Sequence, residues 1–152
     1  MGAIILALLI ILLIIYLLGR RRRRDWEAQA RAASAEASGL LGSVNRGLAT
    51  LQDPSAAART WSDVEARGSR LHRRLDALAA KPPDHRLGVA VEHADQALQG
   101  LRASVQSDAG LRLGPPSPAP DQLRYSEAVI RQRTTDFEQA MGELDDLIRP
   151  EP

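Results

Sequence analysis

The sequence predicts an all-α protein: an N-terminal single transmembrane helix followed by an antiparallel up-down-up-down four-helix bundle. Three observations carry that reading. Residues 2–19 read GAIILALLIILLIIYLLG, with no charge and with Leu or Ile at most positions. Beyond them, apolar residues recur at alternating spacings of four and three through four successive blocks, the a/d pattern of helices packed at about +20°. No run alternates with period two, and aromatic residues make up only 3% of the chain, so strands have almost no support.

The first element is the apolar run. At about 1.5 Å per residue it spans roughly 27 Å as a helix, enough for a thin or average bilayer core. Arg20, Arg21, Arg22, Arg23 and Arg24 follow without a spacer. An arginine at mid-membrane costs at least about 2.5 kcal/mol, so residues 1–19 read as the span and 20–24 as a juxtamembrane cluster. A secretory signal peptide carries its charge before the apolar stretch and small residues after it, the reverse of the order here. A myristoylation signal is also missing, because Leu6 stands where Ser or Thr is needed. The excess of positive charge on the C-terminal flank places the rest of the chain in the cytoplasm, with a very short N-terminus outside. Tyr16 and Trp26 then bracket the inner interface as aromatic anchors. The five arginines serve first as a stop-transfer and orientation signal. They are also expected to contact anionic lipid headgroups, at about 1 kcal/mol per residue near the surface.

The net charge of +1 hides a split. Without those five arginines the chain has 15 basic and 19 acidic residues, a net of −4. Positive charge is thus concentrated at one border, and no nucleic-acid partner is expected. There is no cysteine, which excludes disulfides and thiolate chemistry.

Residues 25–152 form the predicted bundle, with helices over about 25–52, 54–80, 85–107 and 121–149. The first seam is Trp26, Ala30, Ala33, Ala37, Leu40, Val44, Gly47 and Leu51; the second is Ala57, Trp61, Val64, Gly68, Leu71, Leu75 and Leu78. The third is Leu87, Val91, Ala94, Leu98, Leu101 and Val105. The fourth is Leu123, Glu127, Ile130, Thr134, Phe137, Met141, Leu144 and Ile148. Asp53-Pro54 offers an N-cap followed by proline at N1. Lys81-Pro82-Pro83-Asp84 ends one helix and caps the next. Residues 110–120 (GLRLGPPSPAP) hold four of the nine prolines and read as a loop, with Asp121 restarting the helical pattern. Short connections make neighbours antiparallel. In that arrangement the alanines of the first helix face Leu75, Leu78, Leu87, Val91, Leu144 and Ile148, small against large as close packing requires. The glycines admit two readings, close helix approach or a looser bundle that opens to a partner.

Catalytic patterns are missing. A carboxylate-bridged di-iron bundle needs Glu-x-x-His on two helices, and no glutamate here has His three residues on. His85 and His93 lie eight residues apart, about two turns and too far to chelate one zinc alone, and His72 is on another helix; all three read as solvated surface histidines. Neither a Gly-x-Ser-x-Gly elbow nor a phosphate-binding Gly-x-x-x-x-Gly-Lys loop occurs. No enzyme, cofactor or metal is therefore expected. Arg67, Arg70, Arg73 and Arg74 form a second basic cluster off the seam, either salt-bridged and solvated or a face for an acidic partner or lipid headgroups. Glu127 and Thr134 interrupt an apolar seam, where polar residues fix register or mark a surface for another chain. Pro115 to Pro118 carry a PxxP-like spacing, a weak signal in a linker of this composition.

These features lead to an expectation of a membrane-tethered, non-catalytic helical interaction module, a scaffold or accessory subunit with a protein partner. A homo-oligomeric coiled-coil spacer and an extracytoplasmic domain of reversed topology are the alternatives.

Overall fold

Four helices carry the chain in the computed structural model: α1 (Gly2–Ala49), α2 (Pro54–Ala79), α3 (His85–Leu113) and α4 (Pro120–Ile148). The described residues are 2–51, 53–115 and 117–149, with backbone only for 2–15, 17, 18, 54 and 55. No strand occurs among them. The packed pairs are α1 with α2, α2 with α3, α3 with α4 and α4 with α1, the last the sparsest. That cycle without diagonals is the predicted up-down-up-down square.

The 4–3 spacing forms the core. Every seam residue named above on the first three helices is buried, as are Ile130, Thr134, Phe137, Met141, Leu144 and Ile148 on α4. Burying a Leu or Phe side chain stabilises by about 1.5–3 kcal/mol, so three to four heptads per helix supply the main cohesion. Leu123 and Glu127, at the start of the fourth seam, are only half-buried.

Hydrogen bonds across the interfaces give the direction of each helix. Trp26 Nε1 donates to the Leu78 carbonyl at 3.1 Å, and Ser34 donates to Asp145 at 2.9 Å. The middle of α1, where it enters the bundle, therefore lies beside the ends of α2 and α4. Trp61 and Asp108 meet at the opposite end. The expected caps are present: Ala56 N–H donates to Asp53 Oδ1 at 3.2 Å, and Leu87 N–H to Asp84 Oδ1 at 3.0 Å.

Gly47 answers the question the glycines raised at one interface. A Cβ built there would collide with the six-membered edge of the Trp61 ring. The absent side chain is what lets the indole approach α1 so closely.

Four expectations change. First, α1 runs unbroken from Gly2 to Ala49, so the segments 1–19, 20–24 and 25–52 are not separate elements. Arginine is a good helix former, and no proline stands between Leu18 and the first seam residue. Second, α3 runs to Leu113 and not to 107, so the loop shortens from 110–120 to 114–119. Arg112 holds that extra turn through bonds to Asp108, Glu127 and the Leu51 carbonyl. Third, α4 starts at Pro120, one residue before Asp121. Gln122 Oε1 accepts from the Ala119 N–H at 3.0 Å, the one half of a capping box that an alanine at the N-cap allows. Fourth, Trp26 is no interface anchor. It is 7% exposed and sits in the core, whereas Tyr16 is exposed.

Among the described residues, no helix is long and apolar enough to cross a membrane. The side chains that make residues 2–18 apolar lie, Tyr16 apart, outside the described residues.

Candidate functional site: the basic end of the bundle

Charge is the chemistry this surface offers, and it gathers at the end where α1 enters the bundle. Arg20, Arg21, Arg22, Arg23 and Arg24 are all exposed. Arg23 Nε lies 3.1 Å from Glu27 Oε1, and Arg31 reaches the other oxygen of Glu27 at 3.7 Å. Among the described residues, Arg20, Arg21, Arg22 and Arg24 have no carboxylate partner. At the same end the α2–α3 loop presents Lys81, the first turn of α3 presents Arg86, and the end of α4 presents Arg149, all exposed. Arg149 is held 3.8 Å from Asp146.

Two grooves between α1 and α2 start there and share Gln29 and Ala77, so they form one channel along the helix pair. The lower part, about 720 Å³, lies between Gly19, Arg22 and Arg23 of α1 and Lys81, Pro82 and Pro83 of the loop. The upper part, about 520 Å³, is lined by Glu36, Arg70, Arg73 and Arg74.

The second arginine cluster proves to be divided. Arg67 Nε donates to Asp63 Oδ2 on its own helix at 2.8 Å. Arg70 and Arg74 converge on Glu36 of α1, at 3.4 and 3.0 Å. The pair with Arg74 is close but off-axis: the buried Oε2 of Glu36 accepts no hydrogen bond. Arg73 is exposed with no carboxylate partner among the described residues. Two of the four arginines therefore clamp α2 to α1, one is paired within α2, and one has no carboxylate partner among the described residues. The Arg67 bond holds the Asp63 carboxyl below its ordinary range, helped by the Ser43 hydroxyl and opposed by partial burial.

The histidines do not converge. His72 Nδ1 lies 2.7 Å from Asp95 Oδ1, His93 Nδ1 lies 3.1 Å from Glu143 Oε2, and His85 is exposed at the start of α3. Among the described residues, no group of three acids or histidines could hold a metal.

A polar cluster at the far end escaped the sequence reading. Asp108 is fully buried and paired with Arg112 Nε at 2.7 Å, and Arg112 also reaches Glu127 at 3.2 Å. Burial alone would lower the basicity of Arg112; its bonds to the two carboxylates outweigh that and raise it. The signal was the spacing itself: three and then four residues after Val105, the seam reaches Asp108 and Arg112. Glu127, half-buried at its seam slot, is thus the partner of an arginine on α3. Thr134 satisfies its hydroxyl on the Ile130 carbonyl at 2.8 Å.

No family model matches the chain, and neither a curated protein nor a solved structure matches it.

Proposed function

We propose that this chain is a membrane-tethered, non-catalytic helical interaction module, a scaffold or accessory subunit of a membrane complex. Residues 1–19 span the bilayer with the N-terminus outside, and the bundle is on the cytoplasmic side. One observation carries the reading: a single helix continues from an uncharged run of bilayer length, through five exposed arginines, into a packed core. A helix of that kind has one place to put its apolar part, because a helix that is apolar all round must be buried. The arginines fix the orientation.

The seams of all four helices are filled within one chain, which supports the module over a spacer built by pairing heptads between chains. The height of the second arginine cluster supports a protein-facing role for it and not a lipid-facing one. Counted along α1 from Gly19, Glu36 lies about 25 Å up the helix, whereas the headgroup layer is only about 5–8 Å deep. Arg70 and Arg74, held at Glu36, are beyond that layer even at a tilt of about 40°. Arg73 and the upper groove therefore serve an acidic protein surface.

Protease added to intact cells tests the topology. The bundle should stay whole until the membrane is permeabilised. Digestion in intact cells would reverse the orientation, and recovery of the chain in the soluble fraction would end the tethering reading.

A further inference from the structure

We propose that the lower groove, between α1 and the α2–α3 loop, is a headgroup site for an anionic phospholipid, with Arg22 and Lys81 as the cations that face its phosphate. The inference rests on the tethering reading and adds a second attachment of the bundle to the bilayer, through a loop distant in sequence from the span.

Position comes first. The groove is lined by Gly19 and Arg22 on one wall and by Lys81 and Pro82 on the other. Arg22 lies about 5 Å along α1 from Gly19, inside a headgroup layer of about 5–8 Å. The loop at the same level is therefore in the layer too, although it lies some 60 residues away in sequence. Charge comes second. Arg22 and Lys81 are exposed, and among the described residues no carboxylate pairs with either. Arg23 beside them is turned to Glu27. The opposing charge in the groove is Asp25 alone, which leaves a net cationic mouth for a phosphodiester. Shape comes third. Gly19 leaves the membrane-facing mouth open, with nothing within 4 Å of where its Cβ would stand. The wall opposite is Ala77, Ala80 and Pro82, which brings no carboxylate to repel a phosphodiester.

The absence of cysteine from the chain makes a site-specific test simple. A fluorophore is attached to full-length protein carrying His85→Cys, an exposed position at the same end but outside the groove, reconstituted into vesicles whose headgroups bear a spin-label quencher. Vesicles of phosphatidylcholine alone are compared with vesicles containing phosphatidylglycerol, and flotation checks insertion separately. The expected result is quenching that is stronger with phosphatidylglycerol. Lys81→Gln or Arg22→Gln should each lower the preference for the anionic lipid about fivefold. Arg73→Gln, above the layer, should leave it unchanged. Equal quenching in both lipids, or no effect of the two variants in protein that floats with the vesicles, overturns the headgroup site and leaves the tether standing. Protein that fails to float at all overturns both.

Discussion

The indole N–H of Trp61 on α2 donates to the Asp108 carboxylate on α3 at 3.0 Å, and the same oxygen accepts from Arg112 Nε at 2.7 Å. Through Arg112 the network continues to Glu127 on α4 and to the Leu51 carbonyl beyond α1, each at 3.2 Å. The Asp108–Arg112 pair thus ties α2, α3, α4 and the turn after α1 together at the end of the bundle farthest from the basic cluster.

Removing that carboxylate alone leaves an arginine that is only 11% exposed without its nearest partner. Asp108→Ala should cost about 3–5 kcal/mol, and the double change Asp108→Ala with Arg112→Leu should cost less than the single one. Urea denaturation of the full chain in detergent micelles, followed by circular dichroism, measures both. A double variant weaker than Asp108→Ala would show that the pair stabilises more than its desolvation costs.

Gly47 and Gly42 make a matched pair of opposite sign. Gly47→Ala drives a methyl into the Trp61 ring and should destabilise by about 1–3 kcal/mol. Gly42→Ala meets nothing within 4 Å and should stabilise by up to about 1 kcal/mol through helix propensity. The same denaturation assay reads both, and a neutral Gly47→Ala would mean that the indole is free to move.

Leu98 and Phe137 are fully buried on α3 and α4. Leu98→Ala and Phe137→Ala should each cost about 2–5 kcal/mol, whereas Arg73→Ala should stay within about 0.5 kcal/mol. Small, equal effects from all three would mean that the bundle is not the cooperative unit.

Asp63 sets a weak acid dependence. Its folded carboxyl titrates below its unfolded value because Arg67 and Ser43 bond the charged form. Its contribution is therefore complete above about pH 4, and disappears as pH falls through the lower folded value. Being half exposed, the pair should contribute under about 1 kcal/mol. The stability difference between wild type and Asp63→Asn should be constant from pH 5 to 8 and shrink below pH 4; a difference that grows on acidification contradicts the assignment.

The bundle was legible because its seam is regular: a spacing of four and three from Trp26 to Leu78 places every core residue of α1 and α2 without reference to the rest of the chain. The last turns of α3 were not, because Asp108 and Arg112 occupy core slots with charged side chains and an apolar count stops at Val105. Trp26 invited two readings, as an aromatic beside a basic cluster and as the first residue of a seam; the bond to the Leu78 carbonyl decides for the second. The basic site was half legible. Arg20 to Arg24 stand out in any reading of the sequence, but Lys81 joins them only once α2 has folded back along α1. For Arg70 and Arg74 a salt-bridged face was one of the readings, but their partner could not be named in advance because Glu36 is on a different helix.

A 48-residue helix without a break is a mechanical element as well as a structural one. Its 31 residues from Gly19 to Ala49 make an arm of about 45 Å. On the tethering proposed above, that arm would follow the angle of the span. A change of about 20° in tilt, equal to the mean tilt of membrane-spanning helices, would sweep the Asp108 end sideways by roughly 15 Å. Thickening or thinning of a bilayer, which alters tilt, would then be read out at that tip as displacement, which would make the helix a lever driven by lipid thickness.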